Sequence, residues 1–307
     1  MDAAFLLPKD FVEAPGALER AWAPDEARAY TRWLARIHYE NFHVVSLLLP
    51  RRLHQDFYNV YAFCRWADDL GDEIGDAARS LELLGWWREE LAGMYAGRVR
   101  HPVFVALRET VQRHRLPEEP FADLIRAFVQ DQKVTRYATV AELLDYCRYS
   151  ANPVGRLVLR LCGYSDPERQ RLSDATCTGL QLANFWQDVT VDWEKGRLYM
   201  PLEVLERHGV SIDDIARRRM SPAFGAAMEE LVGLARGFFE EGLPLSRMVD
   251  RRLAVDLELF SRGGLKVLDK IEKQGYDVLR RRPVVSRLER VSLLVGTLAR
   301  VAARRAA

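Results

Sequence analysis

Gln181-Leu182-Ala183-Asn184-Phe185-Trp186-Gln187-Asp188-Val189-Thr190-Val191-Asp192-Trp193 carries amide and carboxylate side chains at intervals of three and four residues. At about 100° per residue, Gln181, Asn184, Asp188 and Asp192 share an arc of roughly 80° on a helix. Much of the remaining circumference is Leu, Ala, Phe, Trp and Val. A helix apolar nearly all round is a buried helix. Its oxygen-bearing stripe is then expected inside the protein, where unpaired carboxylates are costly. The stripe must face basic groups, a polar cavity or metal ions.

A second acidic stretch lies upstream, Tyr61-Ala62-Phe63-Cys64-Arg65-Trp66-Ala67-Asp68-Asp69-Leu70-Gly71-Asp72-Glu73. Here Tyr61, Arg65, Asp68 and Asp72 share an arc of about 60°, while Asp69 and Glu73 are rotated off it, toward solvent. Oxygen ligands four residues apart suit a hard cation. Mg²⁺ takes one or two carboxylates, keeps several waters and fills its octahedron with phosphate oxygens. Asp68, Asp72, Asp188 and Asp192, supported by Asn184 and Gln181, are therefore candidate Mg²⁺ ligands. Two such helices facing each other would clamp a diphosphate and neutralise it as it departs. Either motif alone is also compatible with a solvated acidic face. A ferritin-like di-iron bundle needs two Glu-x-x-His elements, and the chain has one, Glu40 to His43.

Lys195-Gly196-Arg197-Leu198-Tyr199-Met200-Pro201 follows the second acidic helix directly. Its two cations are candidates to pair with a phosphate, although the string also reads as an ordinary loop. Arg65, on the Asp68 face, either holds the carboxylates apart or reaches a phosphate.

Outward from these motifs, apolar residues keep recurring at spacings of three and four, as in Met228, Leu231, Val232, Ala235, Phe238 and Phe239. Hairpin turns and sustained alternation are absent, and prolines punctuate the periodic stretches. Helices are expected at about 25–40, 51–73, 79–96, 102–115, 118–132, 140–161, 168–192, 223–241, 250–278 and 286–304. Residues 1–24 read as an irregular lead-in, 193–222 as a loop with short helical pieces, and 25–307 as one all-α domain. Of 307 residues, 49% are hydrophobic and 29% charged, with 45 Lys and Arg against 44 Asp and Glu. That is the composition of a folded chain and excludes a disordered or fibrous one. A net charge of +1 argues against a nucleic-acid binder. The four cysteines form no CxxC pair. With no signal-peptide start and no apolar run of membrane-spanning length, a cytoplasmic location is expected. The stretch 280–307 holds eight arginines and one acid, a net of 8 − 1 = +7. Val284, Val285, Leu288, Val291, Leu294 and Val301 run between them. It reads as a basic amphipathic helix in peripheral contact with the inner face of an anionic membrane, or as a solvated terminal helix.

The two acidic motifs, about 120 residues apart with the trailing Lys195-to-Pro201 string, resemble those of the squalene/phytoene synthases, and the likeness runs from His38 to Arg281. Three further pieces resemble the bacterial hydroxysqualene synthase branch: Glu40-Asn41-Phe42 through Pro50-Arg51-Arg52, Ser150-Ala151-Asn152-Pro153-Val154-Gly155-Arg156, and Leu182 through Asp188. The resemblance implies an isoprenoid-synthase-type helical bundle around a central cavity. It implies Mg²⁺-dependent ionisation of presqualene diphosphate, rearrangement of the carbocation and capture by water, with NADPH not expected. It adds Tyr146, Tyr61 and Arg65 as catalytic residues. It adds Asn41, Phe42, Gln181, Lys195, Arg197, Tyr199 and Arg281 around the substrate and its diphosphate. Pro153 is expected to bend its helix and Gly155 to leave room for substrate. Many condensing relatives carry Arg where Gln187 stands, and its loss fits a substrate with one diphosphate. The rival readings are condensation of two farnesyl diphosphates to presqualene diphosphate or squalene, and a non-catalytic protein that binds prenyl diphosphates. The oligomeric state is not written in the chain.

Overall fold

The structure, a computed structural model, describes residues 5–14, 20–37 and 49–303. Helices account for nearly all regular structure, and no strand occurs among the described residues beyond an isolated bridge between Arg136 and Leu198. The helices are α1 (Pro8–Glu13), α2 (Pro24–Ile37), α3 (His54–Asp72), α4 (Ala77–Tyr95), α5 (Pro102–His114), α6 (Glu119–Asp131), α7 (Val140–Ser150) and α8 (Asn152–Leu161). They continue with α9 (Pro167–Gln187), α10 (Val189–Glu194), α11 (Leu202–Arg207), α12 (Ile212–Ala216), α13 (Pro222–Gly242), α14 (Arg251–Lys273) and α15 (Arg287–Ala303). They form two compact units, one of residues 1–133 with 156–165, the other of 134–155 with 166–307.

In the first unit, α3 is the organising element. Phe57, Val60, Phe63, Trp66 and Leu70 recur at helical spacing and are buried. Trp66 stacks on Trp87 of α4 at 5.1 Å and 9°, and its Nε1–H donates to the Tyr30 hydroxyl of α2. The start of α3 is fixed electrostatically. Buried Asp56 accepts from Thr110 (2.9 Å) and Arg113 (2.8 Å) of α5 and lies 3.0 Å from His114 Nε2. A carboxylate in the first turn also suits the positive end of the helix dipole. The lead-in is not irregular throughout. Pro8, at a position needing no intrahelical N–H, opens α1, and buried Phe11 meets Trp66 edge-on at 5.2 Å.

In the second unit, α9 packs along α13 and α14. The Phe239 ring of α13 occupies the space that a side chain at Gly264 of α14 would fill, since a Cβ there would lie 2.2 Å from its Cζ. The expected helix over 140–161 is broken at Ala151. Pro153 explains the break: it lacks the N–H for the Tyr149 carbonyl and its ring crowds that carbonyl. The expected helix over 168–192 is also interrupted, because α9 ends at Gln187 and Asp188 adopts φ −108°, ψ 17° before α10 begins. The four-residue repeat survives the break. Asp188 N–H donates to Asn184 C=O and Asp192 N–H to Asp188 C=O, both at 2.9 Å.

Candidate functional site

On α3 the polar arc forms as the spacing requires. Tyr61, Arg65, Asp68 and Asp72 are all half-buried. The Arg65 guanidinium reaches Asp68 Oδ2 at 3.2 Å and pairs with Asp69. Asp69 departs from expectation. It is 5% exposed rather than turned to solvent, because it follows the buried Ala62 and Trp66 by seven and three residues and so falls on their packed side. Burial outweighs the neighbouring guanidinium and lifts its carboxyl to about 6. Glu73 is exposed, as expected. Loss of hydration also raises the Tyr61 hydroxyl above its ordinary value. The Arg65 Nε–H is buried with no hydrogen-bond partner.

In the second unit, Asn184 is exposed and Gln181, Asp188 and Asp192 are half-buried along one ridge. Asp188 is gripped through both oxygens by Arg282, Nη2 to Oδ2 at 3.1 Å with Nε to Oδ1. The pairing holds the Arg282 guanidinium above its ordinary pKa, with Asp192 adding to the effect. Gln187 Nε2 donates to the Pro283 carbonyl at 2.5 Å. These adjacent bonds fasten the stretch entering α15 to the α9–α10 junction. Arg281, the arginine named by resemblance, is exposed and pairs with no acid among the described residues; its carbonyl accepts from Gln274. Arg282 was therefore missed, since three consecutive arginines give no phase to tell them apart.

The Lys195-to-Pro201 string turns back on the ridge. Gly196 takes φ +80°, a left-handed value that costs other residues strain. The turn lets Arg197 N–H donate to Asp192 C=O at 2.8 Å. Lys195 is exposed and Arg197 half-buried. The next aromatic residue, Tyr199, is buried and stacks on Phe185 at 3.8 Å and 10°. Tyr146, 3% exposed, joins them, 5.9 Å from Tyr199 and 6.2 Å from Phe185, and Tyr137 completes the cluster. The structure thus brings Tyr146 and Tyr199 together beside Phe185, the residue that follows Asn184. Gly155 serves packing. A Cβ there would lie 2.3 Å from Ser173 Oγ and 2.6 Å from Cys177 Sγ of α9, so the space expected for substrate is where the two helices meet. Asn41 and Phe42 lie outside the described residues.

Among the described residues, no group of three or more Asp, Glu, His or Cys side chains lies close enough to hold a metal ion. Mg²⁺ does not require such a group, because water and phosphate oxygens supply most of its ligands. The donor chemistry fits a hard cation: paired carboxylates and an amide at helical spacing, half-buried or exposed, with no imidazole in either motif. Burial, reinforced by Asp68, pushes the one thiol there, Cys64, up to about 12, which keeps it protonated.

Residues 35–289 match the squalene/phytoene synthase family. The phytoene synthase of Thermus thermophilus is 33% identical, covering 92% of this chain and 94% of its own. The hydroxysqualene synthase of Rhodopseudomonas palustris is 34% identical over 72% of this chain and 75% of its own. The crystal structure of squalene synthase HpnC from Alicyclobacillus acidocaldarius shares 47% identity and a TM-score of 0.79, covering 82% of this chain and 95% of that one. With its all-α fold and both acidic motifs inside the matched span, the chain belongs to the squalene/phytoene synthase family, enzymes that act on prenyl diphosphates.

Proposed function

We propose that this enzyme converts presqualene diphosphate to hydroxysqualene. The carbon–oxygen bond to diphosphate breaks, the leaving group takes the electron pair, and the cyclopropylcarbinyl cation rearranges. Water then adds and loses a proton, so no reductant is consumed. Asp68, Asp72, Asn184, Asp188 and Asp192 would hold Mg²⁺, which when bound supplies the Lewis acidity that makes diphosphate a good leaving group. Arg65, Lys195, Arg197 and Arg282 supply charge-assisted hydrogen bonds to the phosphate oxygens, and Gln181 a neutral one. Arg281 and Tyr61, with Asn41 and Phe42, are assigned to the substrate by family likeness. The clustered rings of Tyr146, Phe185 and Tyr199 offer π faces to positive charge and exclude bulk water from it.

The observation that carries the one-diphosphate reading is Gln187. It is neutral, and its amide is committed to the Pro283 carbonyl, so it offers no cation to a second diphosphate. A second reading, condensation of two prenyl diphosphates, is favoured by the likeness to a phytoene synthase over nearly the whole chain. The deciding assay supplies presqualene diphosphate with Mg²⁺ or with EDTA, with and without NADPH, and separately farnesyl diphosphate alone. Hydroxysqualene and free diphosphate are expected from the first substrate with Mg²⁺ only, at a rate indifferent to NADPH. Abundant C30 product from farnesyl diphosphate alone would establish the condensing reading instead.

A further inference from the structure

α15 has two faces of opposite character. On one, Thr297 and Val301 are buried and Leu293 and Leu294 half-buried, where the helix packs on α14. Glu289, the sole acid of α15, is also committed to α14. It pairs with Lys270 at 2.9 Å and Lys266 at 3.8 Å and accepts from Ser286 N–H at 2.8 Å. The other face is Leu288, Val291, Val295 and Leu298, exposed by 83%, 58%, 60% and 37%. Their spacing of three, four and three places them on an arc of about 80°, roughly 15 Å long. Val284, 53% exposed, precedes them. Single exposed apolar residues are ordinary, but an aligned row marks an interaction surface. At the start of this row, Arg287 and Arg290 are exposed and pair with no acid among the described residues.

Charge selects the occupant. A second copy docked through this stripe would bring arginines into the neighbourhood of arginines, and Glu289, already held by two lysines, could not offset them. A surface of anionic lipid satisfies both features at once: phosphates for the unpaired guanidinium groups and an acyl boundary for the leucine and valine row. No described helix is long and apolar enough to cross a membrane, so α15 would lie in the interface plane. We propose that α15 seats the protein on an anionic bilayer, with Leu288, Val291, Val295 and Leu298 entering the acyl boundary and Arg287 and Arg290 engaging headgroup phosphates. This stands independently of the reaction proposed above.

The test is co-sedimentation of the full chain with vesicles of phosphatidylcholine alone and of phosphatidylcholine mixed with phosphatidylglycerol, at low and high salt, with light scattering of the lipid-free protein. The wild type is expected to sediment with the mixed vesicles, less so at high salt, and scarcely with phosphatidylcholine. A Leu288→Glu/Val295→Glu variant and an Arg287→Gln/Arg290→Gln variant should each lower the partition coefficient by roughly tenfold or more. The second variant leaves the apolar row intact, so it still tests the proposal if the first disturbs folding, which circular dichroism reports. Failure of the wild type to bind anionic vesicles, or equal binding by a folded variant, overturns the proposal. So does a wild-type dimer that the first variant splits, which would assign the stripe to a second copy.

Discussion

Asp188 shows what residue spacing conveys and what it leaves out. Its phase relative to Asn184 and Asp192 was readable, because a repeat of 3.6 is a property of the chain. Its partner Arg282 was not, because the ion pair joins positions 94 residues apart and depends on how the stretch after α14 is laid down. Asp69 was misread for a related reason: an angular position says which side a residue is on, not which side is packed. Asp256 was not singled out at all. It is 1% exposed on α14, neither carboxylate oxygen has a hydrogen-bond partner, and burial, reinforced by Asp250, lifts it to about 8. The sign follows from linkage. The folded chain holds this proton where the unfolded chain has released it, so stability is fullest below the ordinary Asp value near 4. It falls as pH rises from about 4 to about 8, and the loss is complete above that. Asp256→Asn removes the titration. The variant is expected to gain on the wild type by a few kcal/mol between pH 5 and pH 8.5, read as the change in the difference between their denaturant midpoints. A difference that stays constant with pH would show that Asp256 does not carry this proton.

At the level of the helix, existence and type were legible and the ends were not. Periodic apolar residues announced α3, α9, α13 and α14 because burial of one face is what stabilises a helix in a protein. The interruptions at Ala151 and Asp188 have different origins. The first is local, since Pro153 removes a donor, and there a bend was expected but not a break. The second coincides with Gln187 and Asp188 being engaged from outside the helix by Pro283 and Arg282. Gly155 belongs to this scale too. Taken as space for a substrate, it proved to be a tight contact between α8 and α9. Gly155→Ala gains up to about 1 kcal/mol of helix propensity, but its methyl must displace Ser173 and Cys177. A net destabilisation of about 1–3 kcal/mol is expected, seen as a lower urea midpoint with the slope unchanged. A midpoint at or above the wild-type value would mean the two helices part without penalty.

For the whole molecule, the helical class followed from composition and period, whereas the division into two units did not. The second unit is assembled from 134–155 and 166–307, with residues of the first interposed, and no linker composition marks the joints. Each unit carries one acidic motif on its own helix, Asp68 and Asp72 on α3, and Asp188 and Asp192 at and after the end of α9. The metal assignment therefore has a consequence that does not depend on turnover. If carboxylate-held Mg²⁺ binds diphosphate, the two ligands stabilise the folded chain together and much less apart, since each completes the other's coordination. At a hundredfold excess over the dissociation constant, the gain is about 2.7 kcal/mol, a rise of several degrees in Tm for a chain of this size. Thermal unfolding with Mg²⁺, with inorganic diphosphate plus EDTA, and with both is expected to show that rise only for the pair. Asp188→Asn should lose most of it, while the melting temperature without ligands changes little, because the Arg282 pair it weakens is partly exposed and worth at most about 1 kcal/mol. An equal rise with diphosphate and EDTA would mean that arginine and lysine alone hold the anion, and the aspartates would need another role.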